Sequence, residues 1–135
     1  MAKYLAAYAA AAVTLLALDA LWLGLIASSL YAGAIGHLMA DNPNLVAALL
    51  FYVLYPLGLV FFAIAPCRGQ AGWRAAAARA AAFGFFAYAT YDLSNLATLR
   101  NWPVGISIID VAWGCFVSAA SGAAGKLALG RVAGS

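Results

Sequence analysis

The chain has 135 residues, of which 67% are hydrophobic and 8% are charged, and its formal net charge is +3. A soluble domain of this size would carry about 25% charged residues, and a disordered chain would be poor in apolar and aromatic side chains. The composition excludes both classes and indicates an integral membrane protein. Because about 20 apolar residues cross a bilayer, the length allows roughly four spans within one domain.

Four apolar segments, separated by polar or Gly- and Pro-rich stretches, predict four membrane-spanning helices. We place them at residues 4–31, 43–65, 73–99 and 104–127. The second helix is expected to have Asn42 as its N-cap and Pro43 as its first residue, because a proline has no N–H to leave unpaired there. Pro56 predicts a kink within the same helix. The predicted fold class is all-α, an integral membrane four-helix bundle that forms a single domain over residues 1–135.

The positive charges predict how the bundle is oriented. With four spans, both termini and the second loop lie on one side of the membrane. Six of the seven Lys and Arg residues fall on that side, and only Arg100 falls on the other. Loops rich in Lys and Arg stay in the cytoplasm, so we expect both termini to be cytoplasmic. The basic pI near 9.1 is explained by this topology, and no nucleic-acid partner is predicted.

All four acidic residues are aspartates, and three of them fall within the predicted spans. Each of the three is followed, three residues later, by a polar or aromatic side chain, and this spacing places both side chains on the same helix face. At about 1.5 Å per residue, the carboxylates of the third and fourth spans lie roughly 10 Å below the outer membrane surface. The carboxylate of the first span lies about 14–18 Å below it. The pairs are Asp19 and Trp22, Asp92 and Asn95, and Asp110 and Trp113.

The energetic cost of these aspartates predicts a polar site inside the outer half of the bundle. An aspartate at the bilayer centre costs about 2.5–3.5 kcal/mol, so three anions facing lipid would cost roughly 7–10 kcal/mol. They must therefore face inward, carry protons or have partners. The predicted site consists of Asp19, Trp22, Tyr91, Asp92, Asn95, Asp110 and Trp113. Secondary candidates are Tyr88, Ser107 and Tyr52, with Arg100 and His37 as the nearest potential counter-ions in the outer loops.

Three functions are compatible with such a site. It could bind or transport a proton, a cation or a small polar solute, because clustered carboxylates without a basic partner repel one another and can share a proton. It could instead belong to a membrane-embedded enzyme that acts on a lipid-like substrate, although no motif identifies catalytic residues. The third alternative is a structural or accessory subunit whose aspartates only hold the helices together. The first function is the one we expect.

No cofactor is predicted, but a hard divalent cation stays open, since carboxylate and amide oxygens suit Mg²⁺ or Ca²⁺. A zinc site is not expected, because His37 is the only histidine and zinc sites need several nitrogen or sulfur ligands. The predicted partners are the lipid bilayer and a second copy of the chain. The second copy is suggested by the small-residue run 118–125, which favours close helix packing or a homo-oligomer.

Several of these residues also carry a family resemblance that covers nearly the whole chain. The chain resembles small bacterial four-helix inner-membrane proteins, known as predicted membrane proteins with a domain of unknown function. The resemblance implies a compact bundle in the bacterial inner (cytoplasmic) membrane and implies no activity. It rests on Asp19, Trp22, Asn42 with Pro43, residues 91–95, Trp102 with Pro103, and residues 110–114.

Overall fold

The computed structural model describes residues 1–69 and 72–134, and the regular structure within these ranges is entirely helical. The predicted all-α class is therefore confirmed. Five α-helices follow one another along the described chain, four of them long and the second one short. They are α1 (Ala2–Leu21), α2 (Ser28–Ile35), α3 (Leu45–Leu59), α4 (Trp73–Thr98) and α5 (Val104–Ala133).

Two of the long helices are extended by a wider π-helical turn. Trp22–Ile26 continues α1, and Val60–Ile64 continues α3. Ala27, with φ −110° and ψ 3°, then leaves helical geometry, so that α2 is a separate helix. The predicted first span ran without interruption to Tyr31. The structure breaks it at Ala27, since a π turn inserts an extra residue and shifts the side chains that follow.

The start of α3 differs from the prediction by two residues. Asn44 is the N-cap, and its Oδ1 accepts a hydrogen bond from the backbone N–H of Ala47 at 3.1 Å. The expected N-cap at Asn42 is therefore wrong. A side-chain oxygen at the N-cap must reach the third helical N–H, and Asn44 is the residue that does so. Pro56 lies inside α3, and the π turn begins four residues after it.

By length and composition, three of the described helices are apolar enough to cross a membrane. They are Ala2–Ile26, Leu45–Cys67 and Val104–Ala133. Helix α4 has 26 residues, which corresponds to about 39 Å, but its arginines, Asp92 and hydroxyl side chains make it less apolar than the others. The composition of the described helices thus supports three of the four predicted spans directly.

Helix α5 lies at the centre of the fold, against both α4 and α1. Its small residues allow this close packing. A Cβ atom at Gly114 would overlap the ring of Tyr88, and one at Gly125 would overlap the side chain of Ile64. Ser118 and Ser121 are completely buried. The small-residue run predicted for close packing is therefore used within one chain.

The outer surface of the bundle is apolar. Helix α3 alone exposes seven large aliphatic side chains, several of them more than half. In water such a continuous apolar face would be a liability, whereas in a bilayer it is in contact with lipid. The structure thus supports contact with the lipid bilayer. The exposed side chains of α3 are Leu45, Val46, Leu49, Leu50, Val53, Leu54 and Leu57.

Candidate functional site

Asp19 is a buried carboxyl group with two hydrogen-bond donors. It lies two residues before the end of α1 and is 4% exposed. Its Oδ1 accepts a hydrogen bond from Trp113 Nε1 at 2.9 Å, and its Oδ2 accepts one from the Tyr52 hydroxyl at 3.1 Å. Because Tyr52 is on α3 and Trp113 on α5, this carboxyl group joins three helices. Both of its oxygens act as acceptors, which is what an ionised carboxylate requires.

The two tryptophans predicted to shape the site stack on each other. The ring centroids of Trp22 and Trp113 are 4.5 Å apart, and the ring planes differ by 6°. Trp22 stands at the first position of the π turn, so the wider turn and the stack occur together. The stack holds the Trp113 ring between α1 and α5, with its N–H directed at Asp19.

Asp110 is half-buried on α5 and interacts with the short helix α2. Its Oδ1 accepts a hydrogen bond from the Tyr31 hydroxyl at 2.6 Å. The same hydroxyl accepts a longer one, 3.5 Å, from Trp22 Nε1. Asp110 lies within electrostatic reach of Asp19 but is not hydrogen-bonded to it. The break at Ala27 makes this hydrogen bond possible, because it turns Tyr31 toward Asp110 on α5.

Asp92 on α4 is completely buried. Neither of its oxygens has a hydrogen-bond donor within the described residues. Its polar neighbours are the carboxyl group of Asp110 and the hydroxyl of Ser107. The Ser107 oxygen already accepts a hydrogen bond from Trp102 Nε1 at 2.9 Å. Asp92 and Asp110 thus form a pair of adjacent carboxyl groups, which we call the Asp92–Asp110 pair.

A cavity of about 580 Å³ lies beside these groups. Asp19 and Asp110 face it, whereas Asp92 lies behind Asp110, outside its lining. Most of the remaining wall is aromatic, with a few aliphatic side chains. We call this space the aspartate cavity. The other lining residues are Leu23, Ala48, Phe51, Tyr52, Tyr55, Ala87, Tyr88, Tyr91 and Trp113.

At the Tyr55 end of the aspartate cavity, aromatic side chains of α3 and its π turn pack against α4. Tyr55 packs against Phe83 with ring centroids 5.3 Å apart, and Phe62 against Phe83 at 5.6 Å. The Tyr55 hydroxyl is hydrogen-bonded to the hydroxyl of Ser118 at 2.7 Å. Between α3 and the π turn after it, helix α4 packs mainly against the π turn, and the cavity is lined by residues of α1, α3, α4 and α5.

Several predicted site residues lie away from the aspartate cavity. Asn95 is half-buried beside the Tyr91 hydroxyl, one helical turn beyond the cavity lining. Ser107 is buried beside Asp92. The two potential counter-ions, His37 and Arg100, are exposed and do not line the cavity. Within the described chain, the polar neighbours of Asp19 and Asp92 are hydroxyl, indole and carboxyl groups, with no Lys, Arg or His among them.

A divalent cation held by all three aspartates is not supported by their arrangement. In residues 1–69 and 72–134, no three His, Cys, Asp or Glu side chains are grouped so that they could hold a metal ion. Asp19 is occupied by its own two donors, and the other two aspartates face each other. The aspartates therefore form two adjoining sites of different chemistry.

Two polar contacts of the site were missing from the sequence prediction. Tyr31 was expected only as the end of a continuous helix, and its hydrogen bond to Asp110 depends on the break at Ala27. The bond between Tyr55 and Ser118 joins residues 63 positions apart. No local signal in the sequence marks either contact. The aromatic residues of α3 near Pro56 indicate Tyr55 as a candidate but do not indicate its partner.

The comparisons with known proteins agree with this description. Residues 4–127 match the family model described as predicted membrane protein DUF2177. No curated protein and no solved structure shows significant similarity to the chain. The matched residues include every side chain of the two aspartate sites. The chain therefore belongs to the DUF2177 family of predicted membrane proteins.

Proposed function

We propose that the protein binds and exchanges a proton, or a small cation that takes its place, at the Asp92–Asp110 pair inside the membrane. The observation that carries the proposal is the full burial of Asp92 without a hydrogen-bond donor. An isolated carboxylate in a low-dielectric interior is destabilised by several kcal/mol. A proton held between the two carboxyl groups removes one charge and supplies the missing hydrogen bond.

The aspartate cavity supports exchange of that proton. Asp110 faces the cavity, whereas Asp92 lies behind it and is completely buried. A proton or cation arriving through the cavity would therefore meet Asp110 first and reach Asp92 through it. The Tyr31 hydroxyl, hydrogen-bonded to Asp110, stabilises the negative charge while the pair is empty. This order of groups suits a site that binds and releases a proton, a cation or a small polar solute during transport.

The proposal includes a four-span topology in which α4 also crosses the membrane. Three hydroxyl groups along α4 bond to its own backbone: Thr90 donates to the Phe86 carbonyl at 2.6 Å and Ser94 to the Thr90 carbonyl at 2.5 Å. Thr98 donates to the Ser94 carbonyl at 2.8 Å. Hydroxyls satisfied in this way are compatible with lipid. Together with the distribution of Lys and Arg, this supports cytoplasmic termini in a bacterial inner membrane.

A homo-oligomer remains part of the proposal, but through a different surface from the one expected. The small-residue run of α5 is buried against α4 and α1 in one chain. Helix α4 carries a second stripe of small residues at helical spacing, Ala75, Ala78 and Ala82, all of them exposed. Such a stripe lets another helix approach closely in a bilayer. A second copy would therefore use α4.

Infrared difference spectroscopy on the reconstituted protein tests proton binding directly. We expect a carbonyl band of a protonated carboxyl group that shifts in D₂O and is lost or displaced in Asp92→Asn and in Asp110→Asn. The matched control is Asp41→Asn, since Asp41 is exposed in the loop before α3, and it should leave the band unchanged. A wild-type spectrum that Asp92→Asn does not alter would refute the proposal.

Proteoliposomes distinguish transport from binding and from the two alternatives. If the protein moves protons or cations, a pH- or ion-dependent signal should appear in wild-type liposomes and disappear in Asp92→Asn. If the aspartates are only structural, the Asn variants should behave like the wild-type protein in the same liposome measurement.

The lipid composition of cells that lack the protein tests the enzyme alternative. An altered composition would favour an enzyme that acts on a lipid-like substrate, and an unchanged composition would count against it.

A further inference from the structure

We infer that the aspartate cavity binds a hydrophobic organic cation, of the quaternary ammonium or phosphonium class, which enters from the bilayer between α3 and α4. This inference rests on the proposed function and names the class of solute that the cavity accepts. It follows from four features of the cavity: its aromatic wall, its negative floor, its size and its lateral opening.

The wall of the cavity is made chiefly of aromatic rings. Six of its eleven lining residues are Phe, Tyr or Trp: Phe51, Tyr52, Tyr55, Tyr88, Tyr91 and Trp113. The face of an aromatic ring carries partial negative charge and attracts cations, and groups of such rings are how proteins recognise quaternary ammonium ions. The wall therefore favours a cation with an apolar surface.

The floor of the cavity supplies the negative charge that such a cation needs. Asp19 accepts hydrogen bonds on both oxygens from neutral donors, an arrangement that stabilises the charged form of the carboxyl group without a counter-ion. No Lys, Arg or His lies among the cavity's lining residues. An anion without a counter-ion in a low-dielectric space attracts a diffuse positive charge strongly. Asp110, with the buried Asp92 behind it, adds a second acidic group that can release its proton when the cation arrives.

The size and position of the cavity select a lipid-soluble solute. About 580 Å³ is within the range of pockets for drug-sized molecules. Leu23, Phe51 and Tyr91 line the cavity and are also exposed on the surface, Leu23 by 47% and Tyr91 by 56%. The cavity thus reaches the surface at side chains of α3, α4 and the π turn after α1, which contact lipid in the bilayer. A hydrophobic cation dissolved in the membrane can enter by this opening.

Equilibrium binding of radiolabelled tetraphenylphosphonium tests the inference. The full-length protein is placed in phosphatidylcholine nanodiscs, whose zwitterionic lipid does not itself concentrate cations. We expect saturable binding that triphenylphosphine oxide, a neutral molecule of similar shape, does not displace. Asp19→Asn keeps the shape of the side chain but removes its charge, so affinity should fall at least about tenfold. The matched control, Asp41→Asn, should bind like the wild type.

A second pair of variants tests the aromatic wall. Tyr91→Leu removes a ring that lines the cavity, and we expect it to weaken binding by about three- to thirtyfold, the range for one cation–π contact. Phe86→Leu removes a ring from another face of α4; Phe86 is 69% exposed and is not part of this cavity. That control should leave the affinity unchanged. If Tyr91→Leu binds the cation as tightly as Phe86→Leu does, the rings of the cavity wall do not recognise the cation.

The outcomes separate this inference from the proposed function. No saturable binding, equal displacement by the neutral oxide, or an Asp19→Asn affinity equal to wild type would overturn the inference. If the infrared band of the Asp92–Asp110 pair is present in that case, the proposed proton site stands and only the organic cation is excluded. If tetraphenylphosphonium binds as described, its binding should also release protons, which a pH-sensitive dye in weakly buffered solution can measure. Binding without proton release would show that cation binding in the aspartate cavity is not coupled to protonation of the Asp92–Asp110 pair.

Discussion

The three membrane aspartates are chemically identical, but their surroundings give them different properties. Asp19 has a donor for each oxygen, Asp110 has the Tyr31 hydroxyl, and Asp92 has none. A buried carboxyl with donors can keep its charge, whereas one without them requires a proton or a cation. We therefore propose different roles for them: Asp19 is the anion, and Asp92 is the proton acceptor.

The hydrogen bond between Tyr52 and Asp19 allows a prediction at this scale. Tyr52→Phe removes only the hydroxyl and leaves one oxygen of a buried carboxyl without its donor. Hydrogen bonds to charged groups contribute about 1.5–3 kcal/mol, so we expect the free energy of unfolding to fall by that amount. Reversible unfolding of the purified protein in mixed micelles measures the change.

The control for this prediction is Tyr4→Phe near the start of α1. Tyr4 packs against a buried apolar cluster that includes Ala7, Ile64 and Leu129, and its ring is retained in the variant. Because the two variants lose the same atom, the difference between them isolates the bond to Asp19. An equal loss of stability in both would mean that this bond contributes nothing.

Among the helices, α5 determines how the others are arranged. Its buried face carries small residues at spacings of three and four, namely Gly114, Ser118, Ser121, Gly122 and Gly125. Where α4 crosses this face, the Tyr88 ring lies against Gly114, and that contact places Tyr88 in the cavity wall. The shape of the cavity thus depends on an absent side chain.

Gly114→Ala should therefore destabilise the bundle. The added methyl group would overlap the Tyr88 ring, so the ring or α4 must move. Overpacking of this kind typically costs about 1–3 kcal/mol. We also expect tetraphenylphosphonium affinity to fall, because the displaced ring lines the cavity. Thermal unfolding detected with a thiol-reactive dye can measure the stability, since Cys67 is buried in the folded protein.

Gly130→Ala on the same helix serves as the matched control. A methyl group there meets no atom of residues 1–69 or 72–134 within 4 Å, and alanine is the better helix former. This variant should be as stable as the wild type or slightly more so. If both alanine variants behave alike, close packing at Gly114 does not control the position of α4.

For the whole molecule, the distribution of charge predicts how it sits in the bilayer. In the four-span topology that we propose, the basic residues collect at one end of the bundle, and the membrane aspartates lie toward the other end. The lateral opening is on the aspartate side of the Tyr55–Phe83 contact. In the proposed orientation, a solute from the membrane would therefore enter in the outer half of the bilayer.

The four-span topology predicts which positions an impermeant maleimide can label from outside the cell. In a chain with Cys67→Ala and Cys115→Ala, we expect Asp41→Cys and Arg100→Cys to be labelled in intact cells. Arg68→Cys and Gly134→Cys should be labelled only after permeabilisation, because the positive-inside rule places them in the cytoplasm. Labelling of Arg68→Cys and Arg100→Cys from the same side would show that α4 does not cross the membrane.

The sequence by itself determined the class of the protein and the existence of the long helices. It also determined that these helices contain carboxyl groups, whose placement in a membrane has a high free-energy cost. These properties depend on composition and on the order of apolar residues, which are local and additive. The sequence also predicted that Asp92 and Asp110 lie at matching depth, because the rise per residue is fixed and the turn between α4 and α5 is short. The structure places their two carboxyl groups beside each other.

Only the tertiary structure decided which groups surround those carboxyl groups. The break at Ala27 brings Tyr31 to Asp110, and Trp113 and Tyr52 separate the chemistry of Asp19 from that of the pair. The cavity is formed where side chains of α1, α3, α4 and α5 meet, beside the Tyr55–Phe83 contact. Such features depend on side-chain volumes meeting across helices distant in sequence, so no periodicity within one segment can encode them.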